Sequence, residues 1–483
     1  MPSIFVLRFN VGSIRELPLP IDSENDGSEE IPDTVADCVA IAHADWDNFE
    51  TSWDFRDQPL LRPGLKGATL EASWRNWETQ STAAIRRTQE LETENNRLFI
   101  AAYGLDGELS PEVPETQITL ARADARRDMA AFLSYAIGCM MGRYSLDHPG
   151  LILANAGDTI ENFRLRILDF GLKVDAVSFM PDSDGVIPIL EGEWFEDDVT
   201  DRFKQFLKTT FGTEHFEENV RFVESSLGKS LRKYFLNDFY KDHLQTYKKR
   251  PIYWLFSSPK GTFNALIYMH RYRTETVGTV LQYLRDFRDK LTHHAEHRQM
   301  IADSASESKT VKTQAIKEVA TIKKQLKELE DYEKTLFEVA ARKIEIDLDN
   351  GVKHNYPLFG PVLRKIPGLE ILDLRFWILD FGFWILDCDR NITMSGFIRK
   401  TCCGVNAFTC ENAGDRWSWC FQKLRTMFAY DVDWNDEGGL PPRREAVAKA
   451  ISIAKFLRNN QIATPIGCHA TDEGHIAALS QPN

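Results

Sequence analysis

Residues 247–261 read YKKRPIYWLFSSPKG, from Tyr247 to Gly261. Pro251 has no N–H to continue a helix and pushes Arg250 out of helical geometry. The segment before it, carrying Arg232, Lys233, Tyr234, Phe239, Tyr240, Lys241 and His243, is therefore expected to be a helix that ends here. After it, Ile252, Trp254 and Phe256 alternate with Tyr253 and Leu255, the pattern of a short buried strand. Alternation in so short an apolar run favours core packing of these aromatics over a base-stacking platform. Lys248, Lys249 and Arg250 differ from them, because three cations at an element boundary stay wet and can meet an anionic partner. A lysine supplies a point charge and an arginine a bidentate fork for phosphate.

The whole chain sets the frame for that stretch. Its 483 residues are 43% hydrophobic and 11% aromatic, which describes a globular protein of roughly two to four domains. The net charge of −14 excludes a surface that binds nucleic acid everywhere, so any such binding is local. Charge is segregated accordingly. Arg56 is the only lysine or arginine between Glu16 and Asp57, whereas Lys229 to Arg250 is mostly basic. The 8 cysteines are sparse and suit a reducing compartment. With no apolar stretch long enough to span a bilayer and no secretory pattern at the amino terminus, the expected location is cytoplasmic.

Read in order, Ile4–Leu7 is a short strand, Asn10–Ser13 a turn, and residues 32–49 an amphipathic helix whose apolar positions are Val35, Val39, Ala42, Trp46 and Phe49. Ser52 or Asp54 is placed to cap the next element. Leu70–Phe99 is a strong helix whose Arg86 and Arg87 are expected to pair with Glu90 or Glu94 in preference to phosphate. A second basic helix spans Ala121–Gly142, where Arg122, Arg126, Arg127 and Arg143 are further phosphate candidates. Leu151–Met180 reads as irregular. Asp184–Pro188 reads as a turn and strand, and Glu193, Glu196, Asp197 and Asp198 as the acidic first turn of a helix over Arg202–Phe211 rather than a cation site. His293, His294 and His297 follow helical spacing without accompanying ligands and are expected to face solvent. From Met300 to Ala340, apolar residues recur every three or four positions, the mark of a long coiled-coil-like helix that packs on a partner helix or on its own return strand.

The last hundred residues differ. Glu370–Asp389 is an apolar tandem built on Trp-Ile-Leu-Asp-Phe-Gly, with the pentapeptide ILDFG also at Ile167, and it reads as a translated nucleotide repeat. Cys402, Cys403, Cys410 and Cys420 lie close together but contain no Cys-x-x-Cys pair, so no metal site is assigned.

Several stretches together resemble a known family. The run NDFYKDHLQTYKKRPIYWLFSSPKGTFNALIYMHRY is similar to the carboxy-terminal region of the PglX proteins, the adenine-specific DNA methyltransferases of BREX-type phage-resistance systems. So, in the same order, are FNVGSIRELPLP at Phe9, DWDNFETSWDFRDQPLL at Asp45, NNRLFIAAYGLDGELSPEVP at Asn95, FLSYAIGCMMGRYSLDHPGL at Phe132, DGVIPILEGEWFEDDVTDRF at Asp184 and IEIDLDNGVKHNYPLFGPVLRKIPGL at Ile344. The resemblance covers about residues 1–370 and implies a chain that begins in mid-protein, whose parent activity is site-specific adenine methylation with S-adenosylmethionine.

An adenine methyltransferase needs a glycine-containing loop after a strand and an Asn/Asp-Pro-Pro-Tyr/Phe motif that grips the flipped base. Neither is present: the only Pro-Pro pair, Pro441-Pro442, follows Leu440 and precedes Arg443. Hydrolase, zinc-protease and P-loop motifs are missing too. No catalytic residue, cofactor or metal is therefore assigned to this chain.

The expected fold is mainly α with a few short strands (α+β), near Ile4, Val186 and Ile252. The expected organisation is the end of a target-recognition segment with an acidic helix over 1–60, a helical DNA-positioning region over 61–300, the long helix over 301–345, a closing family segment over 346–370, a low-complexity and cysteine-containing tail over 371–428 and a small module over 429–483. The expected role is DNA positioning, with Arg232, Lys233, Lys241, Lys248, Lys249 and Arg250 on phosphates. The expected partners are double-stranded DNA, a catalytic methyltransferase half and other defence-system subunits. A protein-interaction scaffold or an inactive gene fragment are the alternatives.

Overall fold

The computed structural model describes residues 30–369. The strand at Ile4, the turn at Asn10–Ser13, the tandem repeat, the cysteine cluster and the final module lie outside the described residues.

The fold is mainly α. The helices are α1 (Glu30–Trp46), α2 (Leu70–Ala102), α3 (Ala125–Met140), α4 (Ile160–Asp169), α5 (Val199–Phe211), α6 (Phe216–Leu227), α7 (Leu231–Tyr234), α8 (Tyr240–Thr246), α9 (Thr276–Asp303), α10 (Lys309–Ala341) and α11 (Gly351–Asn355). A π turn over Phe235–Phe239 joins α7 to α8. The strands are β1 (Val186–Pro188), β2 (Tyr253–Ser257) and β3 (Asn264–Tyr268). They form one antiparallel sheet in the order β1-β3-β2, with Val186 opposite Ile267 and Tyr253 opposite Tyr268.

The alternation read over residues 252–256 corresponds to β2, all of whose residues are buried. Trp254 packs edge-on against Phe359 at 5.4 Å and Tyr356 at 5.6 Å, between ring centroids. These aromatics are core, as their pattern implied. β3 pairs along the whole of β2, and Leu363 bridges to Phe256 on the other side, so both sides of β2 are covered.

Four elements differ from expectation. The apolar positions of α1 turn outward: Val35 is 44% exposed, and Val39 and Trp46 are each 61% exposed. Ile41 packs inward instead, beside Ile85, Val113, Ile118 and Leu120, and Asp45 accepts the Ala121 N–H at 3.1 Å. Ser52 and Asp54 cap no helix. The Ser52 hydroxyl donates to Asp47 at 2.6 Å and accepts the Asp54 N–H at 3.2 Å, closing a turn. Leu151–Met180 is not wholly irregular, because a capping box between Thr159 and Asn162 starts α4 there.

The fourth difference concerns the periodic stretch from Met300. Met300 belongs to α9, the chain turns at Ser304–Ser308, and Ser308 caps α10 by accepting the Val311 N–H. α9 and α10 lie antiparallel, joined by Arg298–Glu318 at 2.7 Å and Arg285–Glu333 at 2.8 Å. The apolar repeat of α10 is thus buried against α9 of the same chain. No helix of the described residues is long and apolar enough to cross a membrane.

Candidate nucleic-acid interface

The end of α8 builds a rigid basic corner. Tyr247 caps the helix. The Lys248 N–H returns to the Gln245 carbonyl at 3.2 Å and the Lys249 N–H to the Leu244 carbonyl at 2.7 Å, which is the Schellman arrangement. That motif places the residue after the cap in a left-handed conformation, ordinarily the place of a glycine. Here it is Lys248, with φ of 49°, and Lys249 follows it at 61°. A side chain in that region costs about 1–2 kcal/mol. Both lysines and Arg250 are exposed.

Buried chemistry holds the corner. The Tyr247 hydroxyl accepts from Arg143 Nη1 at 2.6 Å and donates to Glu50 Oε1 at 3.0 Å. Arg143 also donates to Glu50 at 2.6 Å, and Ser134 donates to the other Glu50 oxygen at 2.6 Å. The Arg143 and Glu50 side chains are only 11% and 9% exposed. Burial opposes the Arg143 charge, yet Tyr144, Tyr247 and Glu50 around it hold its pKa above the ordinary value. Burial and the Glu50 carboxylate push the Tyr247 phenol up, so it remains a donor.

On the other side of the corner, His243 Nε2 accepts the Tyr253 N–H at 3.2 Å, tying α8 to the first residue of β2. Burial, with the Arg143 charge beside it, lowers His243 to about 3. A neutral ring can accept at Nε2 while it carries its proton on Nδ1.

The remaining expected phosphate residues separate into two kinds. Lys233 is exposed on α7. Lys241 is 71% exposed and reaches Asp238 at 3.5 Å, a carboxylate that Lys229 also contacts. Positions eight apart overshoot one another by about 80° in a regular helix. The extra residue in the π turn Phe235–Phe239 removes that excess, so Lys233 and Lys241 share one side. Arg232 is held internally: its Nη1 donates to the Leu190 carbonyl at 2.9 Å, the Gly192 carbonyl at 2.7 Å and Asp198 at 3.1 Å.

The arginines of the second basic helix are all engaged within the chain, and only Arg143 among them is buried. Arg143 is buried in the pair with Glu50, Arg126 reaches Asp242 at 3.5 Å, Arg127 reaches Asp128 at 3.1 Å, and Arg122 donates to the Glu115 and Ile118 carbonyls. Arg87 reaches Asp37 at 3.5 Å and Glu90 at 3.7 Å. Sequence reasoning missed Glu50 altogether. Nothing in an acidic run marks the one carboxylate whose partner lies 93 positions away.

Asp198 caps α5 by accepting the Thr200 N–H at 2.9 Å, and Asp197 accepts from the Tyr283 hydroxyl. His293 and His297 are exposed, and His294 meets the Trp194 ring edge-on at 5.7 Å. Among the described residues the side chains that approach a metal-ligating arrangement are His43, Asp47 and Asp54, with ligand atoms within 4.8 Å of one another. His43 and Asp47 already pair at 2.9 Å. S-adenosylmethionine does not fit the described residues: a methyltransferase cradle needs a parallel strand, a glycine loop and a helix, whereas the sheet here is antiparallel in both pairings. What the corner can do is hold anions.

No protein-family profile matches the chain. It is 35% identical over 363 residues to the adenine-specific methyltransferase PglX of Lacticaseibacillus casei (strain Zhang), covering 72% of this chain and 29% of that protein. It is 32% identical over 398 residues to the adenine-specific methyltransferase BrxX of Escherichia coli O9:H4 (strain HS), covering 75% of this chain and 31% of that protein. The chain thus spans about 30% of the length of these curated relatives.

Proposed function

We propose, for a chain related over 72–75% of its length to the PglX and BrxX adenine-specific methyltransferases, that it holds duplex DNA by its phosphates beside a catalytic methyltransferase part. Lys248, Lys249 and Arg250 make the contact, with Lys233 and Lys241 extending it along α7 and α8. The single observation that carries this reading is the pair of successive lysines at φ of 49° and 61°. Glycine is the unstrained residue there, and strained positions gather at functional sites. Two exposed cations kept in that conformation, braced by a buried ion pair, present charge in a fixed geometry. Arg232 takes no part, being engaged with Asp198 and two carbonyls.

In this reading S-adenosylmethionine and the flipped adenine are bound by the catalytic part, and the joint product is adenine methylation that marks host DNA in a phage-resistance system. The test is duplex binding by the full chain across a salt series. Each phosphate contact contributes about 0.9 to the slope of log K against log salt, so changing Lys248, Lys249 and Arg250 to alanine should flatten it by up to roughly 2.7. Absence of binding at low salt refutes the proposal.

A second reading, as an interaction subunit for the catalytic part, is favoured by the outward apolar positions of α1 and by Trp53, which is 100% exposed. It predicts complex formation that Val39→Asp with Trp46→Asp abolishes, with no salt-dependent DNA affinity.

A further inference from the structure

A second group of cations stands at the opposite end of β2. Lys260 lies in the turn between β2 and β3. The Glu328 carboxylate pins that turn to α10, accepting the Lys260 N–H at 2.7 Å and the Thr262 hydroxyl at 2.6 Å. One helical turn before Glu328 stands Lys324, with Lys327 next to it, and both are exposed. The Tyr332 hydroxyl donates to the Val362 carbonyl at 2.8 Å, and the Arg364 N–H to the Leu255 carbonyl at 2.8 Å. These bonds bring Arg364, which is exposed, alongside the same turn, while the antiparallel bridge of Leu363 to Phe256 carries the chain after it toward the start of β2. A Cβ on Gly261 would sit 3.9 Å from Arg364 Nη1.

Lys260, Lys324, Lys327 and Arg364 take part in no ion pair among the described residues, and they are separated by up to 104 positions in the chain. The nearby acids are engaged elsewhere. Glu328 is 9% exposed and holds the turn, while Glu330 and Asp331 each meet Lys334 at 3.3 Å. Four exposed cations from three segments, gathered around the single buried carboxylate of Glu328 in a chain of net charge −14, make a local field that attracts a polyanion.

We propose that this surface is a second phosphate-binding site, which takes the backbone of the same duplex held by the Lys248–Arg250 corner. The inference rests on the DNA-holding reading but uses different residues. β2 separates the two sites, and at about 3.3 Å per residue they stand roughly 20 Å apart. A duplex carries one charge per about 1.7 Å of axis and about 3.4 Å per base pair, so some 6 base pairs lie between the two contacts. Affinity therefore rises with duplex length until both sites are filled.

The test is salt-dependent binding of the full chain to duplexes of increasing length, with Lys260→Glu and Arg364→Glu introduced together. Both residues hold the fold through backbone atoms, since the Lys260 N–H donates to Glu328 and the Arg364 carbonyl accepts from Tyr356 at 2.6 Å. The fold is therefore expected to survive, and a Lys260→Arg with Arg364→Lys variant keeps the charge as a control. The expected result is a salt slope flattened by roughly 2 and loss of the gain in affinity on lengthening the duplex, with the control unchanged. If this pair leaves slope and length dependence intact while the corner variants flatten the slope, this inference is overturned and the corner reading stands. If the pair flattens the slope and the corner variants do not, the corner reading falls and the second site stands. If the unaltered chain binds no duplex, both fall.

Discussion

Lys248 and Lys249 provide the sharpest test of the corner, because glycine and alanine can be compared at the same position. Either substitution removes the cation, and with it any favourable interaction with the carboxyl end of α8, so that contribution cancels in the comparison. What remains is backbone conformation. A β-carbon in the left-handed region costs about 1–2 kcal/mol, and the greater freedom of glycine in the unfolded chain offsets roughly 0.5–1 kcal/mol of that. Lys248→Gly should therefore exceed Lys248→Ala in stability by about 1 kcal/mol, and Lys249, at φ of 61°, should show the same order. At Lys233, inside α7, the order inverts, with glycine worse than alanine by about 1 kcal/mol. The assay is urea denaturation with the midpoint compared at a constant m-value, followed by DNA titration, in which glycine and alanine at Lys248 should weaken binding equally. If alanine at Lys248 equals or exceeds glycine in stability, the lysines are not held in the left-handed conformation, and the argument for a charge retained against strain fails.

Other consequences are less elaborate. Glu50→Gln leaves Arg143 buried without its counter-charge and should cost about 3–5 kcal/mol; an unfolding free energy from urea titration within about 1 kcal/mol of the parent contradicts the buried pair. His243 is lowered to about 3 from 6.5, so the unfolded chain takes up a proton there that the folded chain refuses. Its stabilising contribution is complete above pH 6.5 and falls by about 1.4 kcal/mol per pH unit as pH drops toward 3. Asp182, raised to about 6 by burial, acts in the opposite sense between pH 6 and its unfolded value near 3.8. The comparison is therefore made with His243→Gln, which should remove one proton from the pH dependence; equal slopes for the two proteins contradict a neutral buried ring. Gly138→Ala places a Cβ 2.5 Å from the Tyr144 ring and should destabilise by about 1–3 kcal/mol through overpacking, measured by thermal melting; an unchanged melting temperature refutes the close approach of α3 to that ring.

Much of the local architecture was legible in residue order because it depends on neighbours a few positions apart. Alternation over Ile252–Phe256 marked β2 and the periodicity over Leu70–Phe99 marked α2, whereas the helix expected to run up to Pro251 stops at Thr246, where the Schellman turn closes it. Mainly α structure with a few short strands followed from the same signals. So did the placement of Lys248, Lys249 and Arg250 at a wet boundary, since an element end before a buried strand must be exposed.

Which cations stay free was decided only by tertiary contacts. Arg143, Arg232 and Lys248 are equally basic in a linear reading. Arg143 is drawn inside by Glu50, 93 positions away, and by Tyr247, 104 away, while Arg232 is drawn onto Asp198, 34 away. The outward turn of Val35, Val39 and Trp46 has the same origin: periodicity specifies that a helix has an apolar side, and the packing of Ile41 and Asp45 on their neighbours selects which side goes in. The cations around Lys260 are scattered through the chain and become one surface only when Glu328, Tyr332 and Leu255 bind three segments together. Sequence by itself determined the elements, because helix and strand preferences act over a few residues. The tertiary structure decided which charges remain available, because pairing and burial act between residues that meet only after folding.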